Sequence, residues 1–266
     1  MAGLLVRTWN VAHGRTSPET RTTYLEEMVR LVGKDTPALV CLQELPVWSL
    51  KHLEHWSGMR AVGARTMPAL GGRLARRLTT LDPTLLRSGL TGQANAVLLG
   101  AAAEPIRGAA ATVLNPRSFR DPEAARLGLP SRMRRAWGAN RRVAQAVRAS
   151  DGASSIVVVN LHLTSASDSR VAEAELARAL AFAESFARPA EPLLVCGDFN
   201  LSRSSSAFLD QLSHEGFSPP ASGIDHIMGR GLVPARGPEP WPDRLRQLGD
   251  VLLSDHAPVE AEMIRP

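Results

Sequence analysis

Apolar residues fall into short runs along the chain, and these predict strands at Leu4–Trp9, Ala38–Leu42, Met59–Arg65, Ala94–Leu99, Val143–Ala149, Ser155–Leu163, Leu193–Cys196, Ile224–Met228, Asp250–Leu253 and Val259–Met263. A turn at Asp151-Gly152 is expected to join two of them into a hairpin. Two segments carry helix signals. Ser17–Gly33 has Ser17 as N-cap, Pro18 at the first helical position and Gly33 at the end. In Ser167–Phe186, Val171, Ala174, Ala177, Leu180 and Ala181 follow the helical period. The Gly-Pro-rich stretch Arg230–Pro242 reads as a loop, and Pro116–Asn140 as an Arg-rich helical insertion. Hairpins and crossovers together predict mixed sheets covered by helices, an α/β (α+β) architecture. One domain over residues 1–266 is expected, with the insertion at about 115–141.

The polar residues are placed unusually. Apolar runs end in or contain Asn10, Gln43-Glu44, Asn160 and His162, Asp198 and Asn200, Asp225, and Asp255-His256. A core strand rarely buries an acid without a partner or a metal. Six such strands point to one cleft where strand ends converge. Glu44, Asp198 and Asp255 with Asn10 and Asn200 are hard oxygen donors, suited to Mg²⁺ or Mn²⁺, with Ca²⁺ fitting the same donors. His162 and His256 titrate near neutrality. Hard metal plus imidazole is the equipment of phosphoester hydrolysis. Asn95 is expected to face the cleft, and Arg142, at the start of a strand, to reach the phosphate.

Charge adds a second clue. Residues 60–148 hold 16 arginines and four acids, or +12, so the overall +5 leaves −7 for the rest of the chain. A basic middle between acidic ends suits an anionic partner such as nucleic acid, although arginine-rich composition explains part of it. With 44% apolar residues the chain can bury a core. It has no apolar run of about 18 residues and no signal-peptide pattern at its start, so a cytoplasmic location is the default expectation. Cys41 and Cys196 read as buried apolar residues.

The ordered motifs Thr-Trp-Asn10, Leu-Gln-Glu44, Gln93-Ala-Asn95-Ala, Asn160-Leu-His162, Gly-Asp198-Phe-Asn200, Ile-Asp225-His and Ser-Asp255-His256 resemble those of the endonuclease/exonuclease/phosphatase superfamily, the deoxyribonuclease-I-like fold. That resemblance implies a four-layered sandwich of two packed mixed β-sheets flanked by helices. It implies Glu44 as main metal ligand with Asn10 and Asp255 nearby, and His256 as catalytic imidazole oriented by Asp225. It also implies that Asp198 and Asn200 position water or phosphate, and that His162 contacts the phosphate. Ala12 and a single tyrosine, Tyr24, depart from the abasic-site endonuclease branch, and the Asn-x-His motif resembles other branches. Cleavage of phosphodiester bonds in nucleic acid is the leading expectation. Hydrolysis of a small or lipid phosphate ester is the second, and a catalytically silent anion-binding protein the third.

Overall fold

The protein is described as a computed structural model, covering residues 3–68, 91–150 and 154–266, with the backbone alone at 105–107. One sheet contains β1 (Leu4–Asn10), β3 (Leu39–Leu45), β4 (Arg60–Met67), β5 (Gln93–Leu99), β11 (Val233–Pro240) and β14 (Val259–Ile264), in the order β11-β14-β1-β3-β5-β4. A second contains β6 (Glu104–Val113), β7 (Val143–Ser150), β8 (Ser155–His162), β9 (Leu193–Asp198) and β10 (Asp225–Arg230), in the order β10-β9-β8-β7-β6. A small third sheet joins β2 (Thr16–Ser17), β12 (Gln247–Leu248) and β13 (Val251–Leu253). The helices are α1 (Leu25–Val32), α2 (Leu53–Ser57), α3 (Arg117–Arg126), α4 (Ser131–Trp137), α5 (Arg170–Phe186) and α6 (Ala207–His214).

Side-chain alternation sorts these elements into layers. Val6, Leu39, Cys41, Val97, Val147, Val158, Leu194, Cys196 and Ile227 meet between the two large sheets. The opposite face of the six-stranded sheet packs Val40, Leu42 and Leu98 against Leu25, Met28, Val29 and Leu53 from α1 and α2. The opposite face of the five-stranded sheet packs Val157, Val159 and Val195 against Leu176, Ala179, Ala183, Leu209 and Leu212 from α5 and α6. The result is a four-layered helix–sheet–sheet–helix sandwich, as the family resemblance implies.

Each large sheet holds one parallel pair, β1–β3 in the first and β8–β9 in the second, and the other pairings are antiparallel. Helices α1 and α5 lie between the paired strands in sequence, as a parallel connection requires. Consequently β1, β3, β8 and β9 all finish at one end of the sandwich. Their antiparallel neighbours β14, β5, β7 and β10 start there.

Three expectations need correction. The helix expected at Ser17–Gly33 covers only Leu25–Val32, because Thr16-Ser17 pairs with Leu252-Leu253 and Tyr24 is the N-cap residue. Arg230–Pro242 is not a loop throughout: Val233–Pro240 is an edge strand on β14, where prolines are tolerated and the register shifts around them. The strand Glu104–Val113 and the helix Ala207–His214 were not expected. Asp151-Gly152 lies outside the described residues. Among the described residues, no helix is long and apolar enough to cross a membrane.

Candidate active site

The inward-facing positions that build the core continue, without changing parity, into the cleft. Leu4 and Val6 lead to Thr8 and Asn10 on β1, and Leu39 and Cys41 lead to Gln43 on β3. Ile156 and Val158 lead to Asn160 and His162 on β8; Leu194 and Cys196 lead to Asp198 on β9. The space between the sheets therefore grades from hydrocarbon to polar at a single end.

Asn160 ties the sheets together where that change occurs. Its Nδ2 donates to the Leu42 and Ala96 carbonyls at 3.0 and 2.9 Å, and its Oδ1 accepts from Gln43 Nε2 at 2.8 Å. Just beyond, β3 slips register against β5 between Leu42 and Leu45, and Glu44 adopts a left-handed φ of 55°. This bulge turns Glu44 into the cleft although its parity would send it outward. Gly197 has φ 143°, and a Cβ there would run into the Leu161 carbonyl oxygen, so the residue before Asp198 must be glycine.

Three pairs link the two sheets across the cleft. Asn10 Nδ2 donates to Asp198 Oδ2 at 3.0 Å. Glu44 Oε1 lies 3.8 Å from His162 Nε2. His256 Nδ1 is 2.8 Å from Asp225 Oδ2. Asp198 sits centrally: its Oδ2 is 3.5 Å from His162 Nε2 and 3.9 Å from His256 Nε2, and its Oδ1 accepts the Asn200 N–H at 3.0 Å. Asn200 Nδ2 caps the Leu163 carbonyl at 3.0 Å. Ser254 Oγ donates to the Asn10 carbonyl and accepts from the His256 N–H, which sets the Asp255-His256 loop against β1. Asp255 is exposed at the mouth.

The electrostatics follow from burial. Desolvation raises the Glu44 carboxyl above its usual range, against the lowering effect of Arg142 and His256. Desolvation and the charge of Asp225 push Asp198 up to about 7. Burial disfavours the charged His256 ring, yet its bond to Asp225 and the charges of Asp225, Asp198 and Asp255 outweigh this and raise it to about 9. His162 is held well below its ordinary value, first by burial and then by Arg142. Arg142 Nη1 lies 3.0 Å from His162 Nε2. Arg142 is a donor only, so Nε2 accepts and the neutral ring carries its proton on Nδ1.

The residues gathered here are suited to a divalent cation. Buried carboxylates supply hard oxygens, and Asp225 Oδ1 is buried without a hydrogen-bond partner among the described residues. Asp198, Asp225 and His256 offer ligand atoms within 4.8 Å of one another, a group that could hold a metal ion. The His256–Asp225 hydrogen bond already occupies one atom of each.

The structure thus brings together Asn10, Glu44, Arg142, His162, Asp198, Asn200, Asp225 and His256. Asn95 is buried on β5, on the same strand face as the inter-sheet residues Val97 and Leu99, and donates to the Val143 carbonyl at 3.4 Å. His226 points to the other face, as alternation demands: it bonds the Leu201 carbonyl and packs edge-on to Phe199. Trp137 is buried and bonded to Glu175, an anchor rather than a stacking platform. Sequence reasoning missed three supporting residues, Asn115, Asn160 as a bridge, and Glu175. Glu175 accepts from Trp137 Nε1, Thr164 N and Thr164 Oγ1 at 2.7 to 2.8 Å. An acid on the apolar face of α5, between Ala172 and Leu176, was the available signal.

The sequence profile of the Endonuclease/Exonuclease/phosphatase family matches residues 8–256, from β1 to the His256 loop. The chain belongs to that family. As a member it is a phosphoric ester hydrolase. Solved structures share the fold at low identity. An endonuclease/exonuclease/phosphatase from Bacteroides vulgatus has TM-score 0.70 and 14% identity, covering 100% of both chains. A mannosyl-6-phosphatase from Bacteroides thetaiotaomicron has TM-score 0.63 and 13% identity, covering 98% of this chain and 99% of that one. A humanized D. rerio TDP2 has TM-score 0.58 and 14% identity, covering 99% and 100%. No curated protein matches the chain.

Proposed function

We propose that this family member is a divalent-metal-dependent nuclease that hydrolyses phosphodiester bonds in nucleic acid. The observation that carries the reading is the flanking of Asp198 by two different arms. On one side is the Asp225–His256 pair, with Nε2 available. On the other, Arg142 is held against His162. The first arm handles a proton and the second answers negative charge.

Glu44, with Asn10 and Asp255, would hold Mg²⁺ or Mn²⁺, which would neutralise nonbridging phosphate oxygens when bound. Asp198 and Asn200 position a water molecule. His256 Nε2 takes its proton as the water oxygen attacks phosphorus in line, and Asp225 stabilises the imidazolium that results. The ester P–O bond opposite breaks, its electron pair leaves with the oxygen on the far side, and that oxygen takes a proton from solvent. Arg142 donates to the phosphate as charge builds. His162, neutral and accepting from Arg142, orients that guanidinium; this assigns it a supporting part rather than that of proton donor.

Nucleic acid is favoured by the basic middle of the chain, whose arginines run from β4 through α3 and α4 to Arg142. The test is a panel with and without Mg²⁺ or Mn²⁺, comparing supercoiled DNA, single strands, RNA, phospholipid and small phosphoesters. Cleavage of nucleic acid that requires the ion and vanishes in Glu44→Ala and His256→Ala is expected. Turnover confined to small or lipid phosphate monoesters would overturn the substrate, and full activity of either variant would overturn the site.

A further inference from the structure

We propose that the α3–α4 segment carries a second phosphate-binding site, which grips the backbone of a nucleic-acid strand next to the scissile bond. This rests on the nuclease reading above.

Arg117, Arg120, Arg134 and Arg135, with Asp121, Gly138 and Ala139, line a shallow pocket of about 380 Å³ between the two helices. Four cations meet one acid there. Asp121 is shared, accepting from Arg117 Nε at 3.0 Å and lying 3.5 Å from Arg120 Nε. Arg117 and Arg120 both stand in the first turn of α3, the positive end of the helix, and Asp121, one residue on, is their shared counter-charge. Cations at that end are disfavoured. Convergence of like charges on such a place is relieved by a bound anion. Four guanidinium groups on one lining make phosphate the ligand class.

Position links this pocket to the catalytic cleft. Asn115 Oδ1 accepts the Arg142 N–H at 2.9 Å, while its Nδ2 donates to the Trp137 and Asn140 carbonyls at 2.9 and 2.8 Å. One side chain therefore clips both ends of the segment to the strand start that bears Arg142. Ala139 lies three residues before Arg142, which bounds their Cα separation to about 11 Å. At the duplex rise of about 3.4 Å per phosphate, that bound corresponds to at most roughly three nucleotides. Glu175, holding Trp137 at 2.7 Å, keeps the segment docked on α5.

The test compares the wild-type protein with Arg117→Gln/Arg135→Gln and with a control of equal charge loss, Arg188→Gln/Arg244→Gln. A fluorescent single-stranded 12-mer is titrated at several salt concentrations, and bis(p-nitrophenyl) phosphate turnover is measured with Mg²⁺. The pocket variant should bind the 12-mer about tenfold more weakly, with a log–log salt slope smaller by about 1.4 for two lost contacts. Turnover of the small diester, which spans only the cleft, should match in all three. Equal losses in the pocket variant and the control would overturn the site, as would no loss in either. A wild-type protein that cleaves the small diester but binds no oligonucleotide would overturn the nucleic-acid reading and the grip together. Loss confined to the pocket variant distinguishes the grip from general charge.

Discussion

His256 Nδ1 lies 2.8 Å from Asp225 Oδ2, and the two residues approach from opposite sheets. The bond fixes which imidazole nitrogen faces the cleft. Asp225→Asn keeps the shape but removes the charge that favours the imidazolium. We expect kcat to fall by about 10²-fold or more with little change in KM. A loss seen only in KM would contradict the orienting role.

The same pair sets a pH dependence of stability. The folded His256 value, about 9, is above the ordinary imidazole range. Its contribution is therefore full below about pH 6.5 and is lost as pH rises through about 9. Thermal melts of metal-free protein should show Asp225→Asn clearly less stable than wild type at pH 6, with the gap closing above pH 9.

Charge from a bound cation should act in the opposite direction on this ring. In NMR titration the His256 imidazole should titrate near 9 without metal and at lower pH once Mg²⁺ is added, which brings the neutral base within the working range. An identical titration curve with and without Mg²⁺ would place the ion elsewhere.

Arg148 and Glu191 form a well-buried ion pair at 2.8 Å, remote from the cleft. Burial opposes the Glu191 charge, yet its bonds to Arg148, Ser155 and the Arg188 N–H outweigh this and hold the carboxyl at about 2. Its folded value is depressed, so its contribution is present above about pH 4.5 and lost as pH falls through about 2. Glu191→Gln should cost about 3 kcal/mol at pH 7 in urea unfolding and almost nothing near pH 2.

Asn160 bonds two carbonyls of the opposite sheet and the Gln43 amide. Asn160→Ala strands these groups without water, at a cost of about 3 kcal/mol or more. Because the bridge abuts the bulge that aims Glu44, activity should fall further than the loss of folded protein explains. Measuring kcat on the folded fraction separates the two effects.

Much of this was legible in the sequence for a physical reason. Strands that are apolar along one face and polar at the end announce both a core and a cleft, so Asn10, His162, Asp198 and Asp225 could be read from the residues next to them. Glu44 was legible by type but not by direction, because its inward aim depends on a bulge that parity does not show. Edge strand β11 was hidden by its prolines, which mark loops more often than sheet margins. Asn115 and Glu175 act through contacts with distant segments, which no local pattern encodes.

The cross-sheet pairing has a bearing on how activity arises. Asn10, Glu44 and His256 come from the six-stranded sheet and its loop; Asp198, His162 and Asp225 come from the five-stranded one. A chain with either sheet formed alone holds half of each of these three pairs and leaves His256 without Asp225 to orient it. The complete set of pairs therefore exists only once the two sheets are docked on each other.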